Sequence, residues 1–167
     1  MLRTGGLSSQ TLKLLNTLES KLPDFYLAEG TALAMYYEHR VSFFEYHYAL
    51  VGPFSKYRSL NVASINDLAA MKLSAIAARA EKKDYFDLAE IVKRETVETV
   101  LRAFVAKYGR DVDLYHIIRA VTFFKDVENS PDPLEAVLTW KEVKDCLEAK
   151  SKELLDAAKI LVRHDPD

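Results

Sequence analysis

The sequence predicts an α+β protein that is mostly helical, with a small sheet near its N-terminus and a helical bundle after it. Two observations carry this prediction. Short aromatic and apolar runs of strand character lie before residue 63, and apolar residues at helical spacing dominate from residue 64 onward. We therefore expect a sheet-and-helix part at 1–63 and a helical body at 64–167, together forming one compact unit.

Composition and charge limit the classes of protein to consider. The 167 residues are 49% hydrophobic and 29% charged, which suits a globular chain with its own core. The net charge of −2 gives no global attraction to nucleic acid. A lone cysteine, Cys146, excludes an intrachain disulfide and favours a reducing compartment. Because no apolar run is long enough to span a bilayer, we expect a cytoplasmic protein without membrane contact.

The first part of the chain alternates helices and strands. Strand candidates carry aromatic and apolar residues, and the longest of them has an uninterrupted apolar face on its even positions, from Phe44 to Leu50. Gly52-Pro53 ends that strand. In order, the predicted elements are a helix at about 8–22, a strand at Phe25–Ala28, a helix at about 31–38, a strand at Val41–Val51 and a short strand within Arg58–Ala63.

The most consistent local signals run from Ser64 to Asp87. Ser64, with Asp67 three residues later, predicts a capped helix start. Lys72 lies on this helix, and a polar break separates it from the next one. Asp84 and Asp87 are three residues apart and therefore share a face of that second helix. The segment presents a lysine and several carboxylates on two helices joined by a tight corner.

Helical patterns continue to the end of the chain. Side chains that suit helix caps mark the starts, and glycine and proline mark the ends. The predicted features are a helix capped by Thr96 and ended by Gly109, a helix started by Asp111 or Asp113, a loop at 129–133 and a last helix from about Thr139 to Leu161.

The order of these motifs resembles the AbiEii/AbiGii-type nucleotidyltransferases, which include toxins of abortive-infection toxin–antitoxin systems. Each motif is short, and their shared order makes the resemblance specific. The segments that carry it are Leu27–Ala34, His39–Ser42, Asp67–Lys72, Lys83–Leu88, Ile118–Asp126 and Trp140–Lys144.

The resemblance implies a reduced nucleotidyltransferase-like fold and transfer of a nucleotide from a nucleoside triphosphate with Mg²⁺ or Mn²⁺. It implies catalytic roles for Lys72, Asp84 and Asp87. The nucleotide-binding positions it implies are Gly30, Thr31, His39, Arg40 and Ser42.

Each of these residues also has a purely structural interpretation. Lys72 is then a solvated helix lysine, and Asp84 and Asp87 favour a helix N-terminus through the helix dipole. Asp67 is expected to be a capping acid rather than a catalytic one.

The sequence departs from the family pattern where the metal would bind. Glu29 stands where the family has a glycine, and its side chain and charge oppose a triphosphate. Phe44 and Tyr46 stand where two aspartates are usual, so no metal ligand is assigned. A shifted register would offer Glu45 and His47 as substitute ligands. The link to the following helix is also short, where the family has further sheet.

Two functions therefore stand at this point. The first is a family member with impaired or lost nucleotidyl transfer that retains a binding or scaffold role. The second is an active nucleotidyltransferase with an RNA or protein acceptor, and transfer RNA is a partner only in that case. An antitoxin-type protein, or a second copy bound through the Phe44–Leu50 strand, would cover the exposed edge of so small a sheet.

Overall fold

Three short strands and five complete helices form the part of the chain that the computed structural model describes, namely residues 13, 16–17, 26–27, 48–57, 60–133 and 136–163. The strands are β1 (Tyr26–Leu27), β2 (Ser55–Tyr57) and β3 (Leu60–Val62). The helices are α1 (Ile65–Arg79), α2 (Lys82–Val92), α3 (Val97–Tyr108), α4 (Leu114–Val121) and α5 (Trp140–Arg163), with a 3₁₀ turn at Lys125–Val127. This is the mostly helical α+β class that the sequence predicts.

The strands form one sheet in the order β1-β3-β2. β1 is parallel to β3, and β2 is antiparallel to it, with Ser55 opposite Val62 and Tyr57 opposite Leu60. The strands predicted within 25–28 and 58–63 are confirmed. β2 was not predicted, because three residues directly after Gly52-Pro53 and Phe54 are too few to show an alternating pattern.

The predicted strand at Val41–Val51 is wrong over its last four residues. Tyr48 and Val51 lie in bends, and the two residues between them have no regular structure. Residues 41–47 lie outside the described ranges. The backbone N–H groups of Val51 and Gly52 donate to the carboxylate of Asp67 at 2.8 and 3.1 Å. These donors are therefore committed to a side chain and are not available to a strand ladder.

A capped corner leads into α1. The Ser64 hydroxyl oxygen accepts a hydrogen bond from the Asp67 N–H at 3.1 Å and donates to Asp67 Oδ2 at 2.5 Å. This confirms Ser64 as the cap and Asp67 as its partner acid. Asp67 is fully buried, and its carboxylate also binds the chain before β2 at Val51 and Gly52. One side chain thus fixes both the helix start and the preceding turn.

The later helix ends follow their local signals. Thr96 accepts a hydrogen bond from the Thr99 N–H at 3.2 Å, and Asp113, rather than Asp111, accepts one from the His116 N–H at 3.0 Å. Gly109 ends α3 with a φ of 92°, which favours glycine. The last helix begins directly after Thr139, as predicted, and runs two residues beyond Leu161 to Arg163.

The chain divides into two compact units, Met1–Leu68 and Ala69–Asp167. In the second unit α5 packs against α2, α3 and α4. The core of this unit buries apolar side chains from all four helices, among them Ile91, Leu101, Ile118, Val143 and Leu147. The division at residues 63 and 64 stays a prediction.

The turn at Gly52 makes the first testable prediction. A Cβ atom at this position would lie 2.7 Å from Ser64 Oγ and 2.9 Å from Ser64 Cβ. We expect Gly52→Ala to lower the free energy of unfolding by about 1–3 kcal/mol through overpacking, measured by urea denaturation. The loss should shrink in a Ser64→Gly background, which lacks both opposing atoms. An equal loss in both backgrounds would contradict the steric explanation.

Candidate functional site

The corner between α1 and α2 brings the two helices close together. Ala80 has a φ of 48°, and its N–H donates to the Ala75 carbonyl at 3.3 Å. A non-glycine residue in this left-handed region costs about 1–2 kcal/mol, so the packing around the corner must offset that strain. The helices that meet here are unusually buried, and α2 has ten buried residues out of 11. Polar side chains on their facing sides are therefore removed from water.

Lys72 lies between the two aspartates of α2. Its Nζ is 2.9 Å from Asp84 Oδ1 and 2.7 Å from Asp87 Oδ2. All three side chains are no more than 2% exposed. The spacing of three residues places both carboxylates on one face of α2, where a single ammonium group reaches them both. The structure thus brings together the three residues predicted as catalytic.

Arg79, at the end of α1, completes this cluster. Its Nε and Nη2 atoms each donate to Asp84 Oδ2 at 3.3 Å, and it also pairs with Glu81 at 3.5 Å. The Arg79 side chain is 39% exposed and connects the buried groups to the surface. Two cations, Lys72 and Arg79, thereby balance the two carboxylates. We call these four residues, Lys72, Arg79, Asp84 and Asp87, the ionic cluster.

The ionic cluster has a clear energetic consequence. Removing charges from water is costly, and the mutual attraction of buried partners offsets that cost only when all of them are present. Deleting a single member leaves a charge in the interior without its compensation. A buried cluster of this kind need not add net stability, but the loss of one member is costly. The interpretation of Lys72 as a solvated helix lysine is wrong, because its ammonium is buried.

A second lysine, Lys82, holds the loop that precedes α5. Its Nζ donates to the Ser130 carbonyl at 2.8 Å and the Glu128 carbonyl at 3.4 Å, and lies 2.7 Å from Asp132 Oδ1. The same atom lies 4.8 Å from the centre of the Trp140 ring, a cation–π contact. The predicted loop at 129–133 is confirmed, and Lys82 is an anchor residue that sequence reasoning missed.

Tyr85 adds a buried hydroxyl to α2. It donates to the carbonyls of Ala120 and Phe123 at 3.2 and 3.0 Å, just where α4 ends. Burial raises the pKa of Tyr85 to about 12, and the charges of Asp126 and Asp84 act in the same direction. The neutral phenol is therefore the stable form, and its single hydrogen is shared between the carbonyls of Ala120 and Phe123.

The predicted nucleotide-binding residues stay a prediction, because the structure does not describe them. Gly30, Thr31, His39, Arg40 and Ser42 all lie outside the described residues. The same holds for the candidate metal positions at 44–47. Within the described ranges, no three His, Cys, Asp or Glu side chains form a group that could hold a metal ion.

A divalent cation does not fit among the described carboxylates of the cluster. Asp84 and Asp87 already surround Lys72, and Arg79 lies against the remaining oxygen of Asp84. An added cation would meet these positive groups at short range and would have to displace them.

The structure describes in full the two helices that carry the Asp-Leu-x-x-x-Lys and Lys-Asp-x-x-Asp segments and the tight corner between them. These segments belong to the nucleotidyltransferase-like pattern. A comparison with family models makes the assignment specific. The family described as "Nucleotidyl transferase AbiEii toxin, Type IV TA system" matches residues 44–158. The chain belongs to this AbiEii family, and the resemblance read from its motifs is confirmed.

A relative in Aquifex aeolicus (strain VF5) supports the same relationship over much of the chain. This uncharacterized protein is 30% identical over 141 residues, which cover 82% of the present chain and 68% of the relative. No solved structure matches the chain significantly. Among the described residues, no helix is both long and apolar enough to cross a membrane.

The ionic cluster makes a stability prediction. Lys72→Ala would leave Asp84 and Asp87 buried without the ammonium, and we expect a loss of about 3–5 kcal/mol in the free energy of unfolding. Lys83→Ala is a matched control, since Lys83 pairs with Glu81 at 2.6 Å near the surface. It should change stability by no more than about 0.5 kcal/mol. Similar losses in the two variants, measured by urea denaturation, would contradict a buried role for Lys72.

Tyr85 makes a prediction about alkaline pH. Its pKa is about 12 in the folded protein against 10.0 for an ordinary tyrosine, so its stabilisation is complete below pH 10 and is lost as the pH rises towards 12. Tyr85→Phe should cost about 1–2 kcal/mol near neutral pH, because the buried hydrogen bond of the phenol to these carbonyls is lost. The stability difference between the two proteins should narrow above pH 10 in urea unfolding. A constant difference would argue against a buried neutral phenol.

Proposed function

We propose that this chain is an AbiEii-family protein with impaired or lost nucleotidyl transfer and a retained binding role towards an antitoxin-type protein. The observation that carries the proposal is the ionic cluster. Lys72, Asp84 and Asp87 pair with one another in the interior, where a nucleotide-transferring site would need groups directed at substrate.

The charge balance of the cluster supports this proposal. With Arg79 included, its formal charge is zero, so it offers a triphosphate no net attraction. The Lys72 ammonium would have to leave two carboxylates at 2.9 and 2.7 Å to reach a phosphate. That movement would take the ammonium away from both buried carboxylates, which is costly even though Arg79 still contacts Asp84.

The sequence before the described helices gives independent support. The aspartate pair usual in the family is replaced by Phe44 and Tyr46, and Glu29 replaces a glycine of the first motif. Carboxylates that hold a divalent ion, and a backbone turn that approaches phosphate closely, are what this chemistry requires. Both requirements are weakened here by the residue types alone.

The binding role rests on the family and on exposed apolar surface. The family is described as a toxin of a toxin–antitoxin system, which favours an antitoxin-type protein as the partner. Tyr48, in the described end of the Phe44–Leu50 segment, is exposed. Self-association through that segment stays a prediction, and sedimentation at micromolar concentration tests it, because a monomer would contradict it.

An active enzyme is the second candidate, and one feature of the cluster favours it. Arg79 is 39% exposed and contacts Asp84, so the cluster extends from the interior to the surface. Opening of Arg79 would give a substrate access to Asp84. In that case Mg²⁺ or Mn²⁺ with a nucleoside triphosphate would be needed, with an RNA or protein acceptor.

A nucleotide-transfer assay tests the proposal. The purified chain is incubated with each labelled nucleoside triphosphate, Mg²⁺ or Mn²⁺, and total transfer RNA, with a transfer RNA nucleotidyltransferase run in parallel. We expect label in RNA and protein to stay at the level of a heat-denatured sample, while circular dichroism shows that the native sample is folded.

Three variants make the opposite outcome interpretable. Asp84→Asn and Lys72→Ala change the ionic cluster, and Lys152→Ala changes an exposed lysine of α5 as the control. Incorporation by the native chain that Lys152→Ala retains and folded Asp84→Asn loses would establish an enzyme and overturn the proposal. Circular dichroism must accompany Lys72→Ala, because the buried pairs predict a stability loss.

A further inference from the structure

A groove of about 450 Å³ lies in the second unit, away from the ionic cluster in sequence. It is formed by the last turns of α3, by residues 110–112 and the first residue of α4, and by the end of α5. Its lining combines apolar side chains with two arginines, Arg102 and Arg110. This volume is typical of ligand-binding sites in proteins.

The apolar part of the groove is incompletely covered. Of its lining residues, Leu114 is buried and Val112 is half-buried. Ile160 and Val162, in the last turn of α5, are 47% and 55% exposed. Exposed aliphatic side chains that adjoin the same groove indicate a binding surface more strongly than exposed side chains scattered singly over the surface.

The charge of the groove is opposite to that of the chain. Among the described residues that line it, the charged side chains are the two arginines, whereas the whole chain carries −2. Arg102 also pairs with Glu98 at 2.8 Å along the exposed face of α3. A guanidinium has five N–H donors, so this pair still leaves Arg102 donors for a second acceptor.

We propose that this groove binds a partner-protein segment that carries acidic side chains next to apolar ones. The apolar residues of such a segment would cover Ile160 and Val162, and its carboxylates would pair with Arg102 and Arg110. The inference rests on the proposed partner-binding function, because it names the surface and the chemistry that serve it.

A protein segment fits the groove better than a nucleic acid. Tight binding to a phosphate backbone relies on many basic contacts, on the order of six to ten. Two arginines beside an aliphatic surface supply few of these contacts and leave the apolar lining without a use. An acidic and apolar peptide uses both features of the groove at once.

Peptide selection on the intact chain tests the proposal. A phage-displayed random dodecapeptide library is selected on the full chain and counter-selected on the Arg102→Glu/Arg110→Glu variant. We expect enriched peptides that combine Asp or Glu with Leu, Ile or Phe. Their synthetic versions should bind the native chain in fluorescence anisotropy, with an affinity at least about tenfold weaker for Arg110→Glu.

Two further variants and an RNA probe complete this test. Ile160→Ser should weaken the same peptides, whereas Arg119→Glu, the same charge change at an exposed position of α4, should leave the affinity within about twofold. No enriched consensus, peptides without acidic residues, or equal binding to the charge-reversed variant would overturn the proposal. Preferential binding of a short single-stranded RNA, lost in Arg102→Glu/Arg110→Glu, would overturn it in favour of nucleic acid.

This outcome is separable from that of the transfer assay. Nucleotide incorporation together with groove-dependent peptide binding would overturn the proposed loss of catalysis and leave the groove assignment in place. If neither is observed, the impaired-transfer proposal is retained and only the assignment of the groove as a binding site is overturned.

Discussion

The buried attraction between Lys72 and the two aspartates of α2 is the constraint on which the second unit depends. It joins α1 to α2 at 2.9 and 2.7 Å, in an interior where neither partner has water as an alternative. The strained φ at Ala80 is sustained by this junction and by the packing around it. Because α2 is buried along nearly all its length, the helices that surround it are positioned by the same junction.

Membership of a family and use of its chemistry are separate questions, and the ionic cluster bears on the second. Lys72, Asp84 and Asp87 stand where the resemblance implies catalytic residues, yet their partners here are one another. Side chains with the right identity and spacing do not establish a reaction, since a site is defined by what its groups face. The match over residues 44–158 places the chain in the AbiEii family, whereas the mutual pairing of these three residues is a property of the packing of α1 against α2.

Sequence reasoning succeeded where the signal and its partner are close in the chain. Ser64 was predicted as a cap and Asp111 or Asp113 as a helix start, because a cap binds an N–H group three residues later, and the structure has Ser64 and Asp113 in this role. It failed where the partner is distant: Asp67 binds the N–H groups of Val51 and Gly52, 16 and 15 residues away, and Val51 was predicted as part of a strand. The grouping of Lys72 with two aspartates was correct, but their burial and charge balance depend on packing that no local pattern reports.

The anchor at Lys82 has a consequence for the order of folding. Lys72 and Asp84 are 12 residues apart, whereas Lys82 and Ser130 are 48 apart. Each doubling of a closed loop adds about 0.6 kcal/mol of entropic cost, so the second contact is penalised by about 1.2 kcal/mol more. The helical hairpin of α1 and α2 therefore has the lower entropic cost of closure and is the expected folding nucleus. Docking of the 128–132 loop onto Lys82 is expected later in folding.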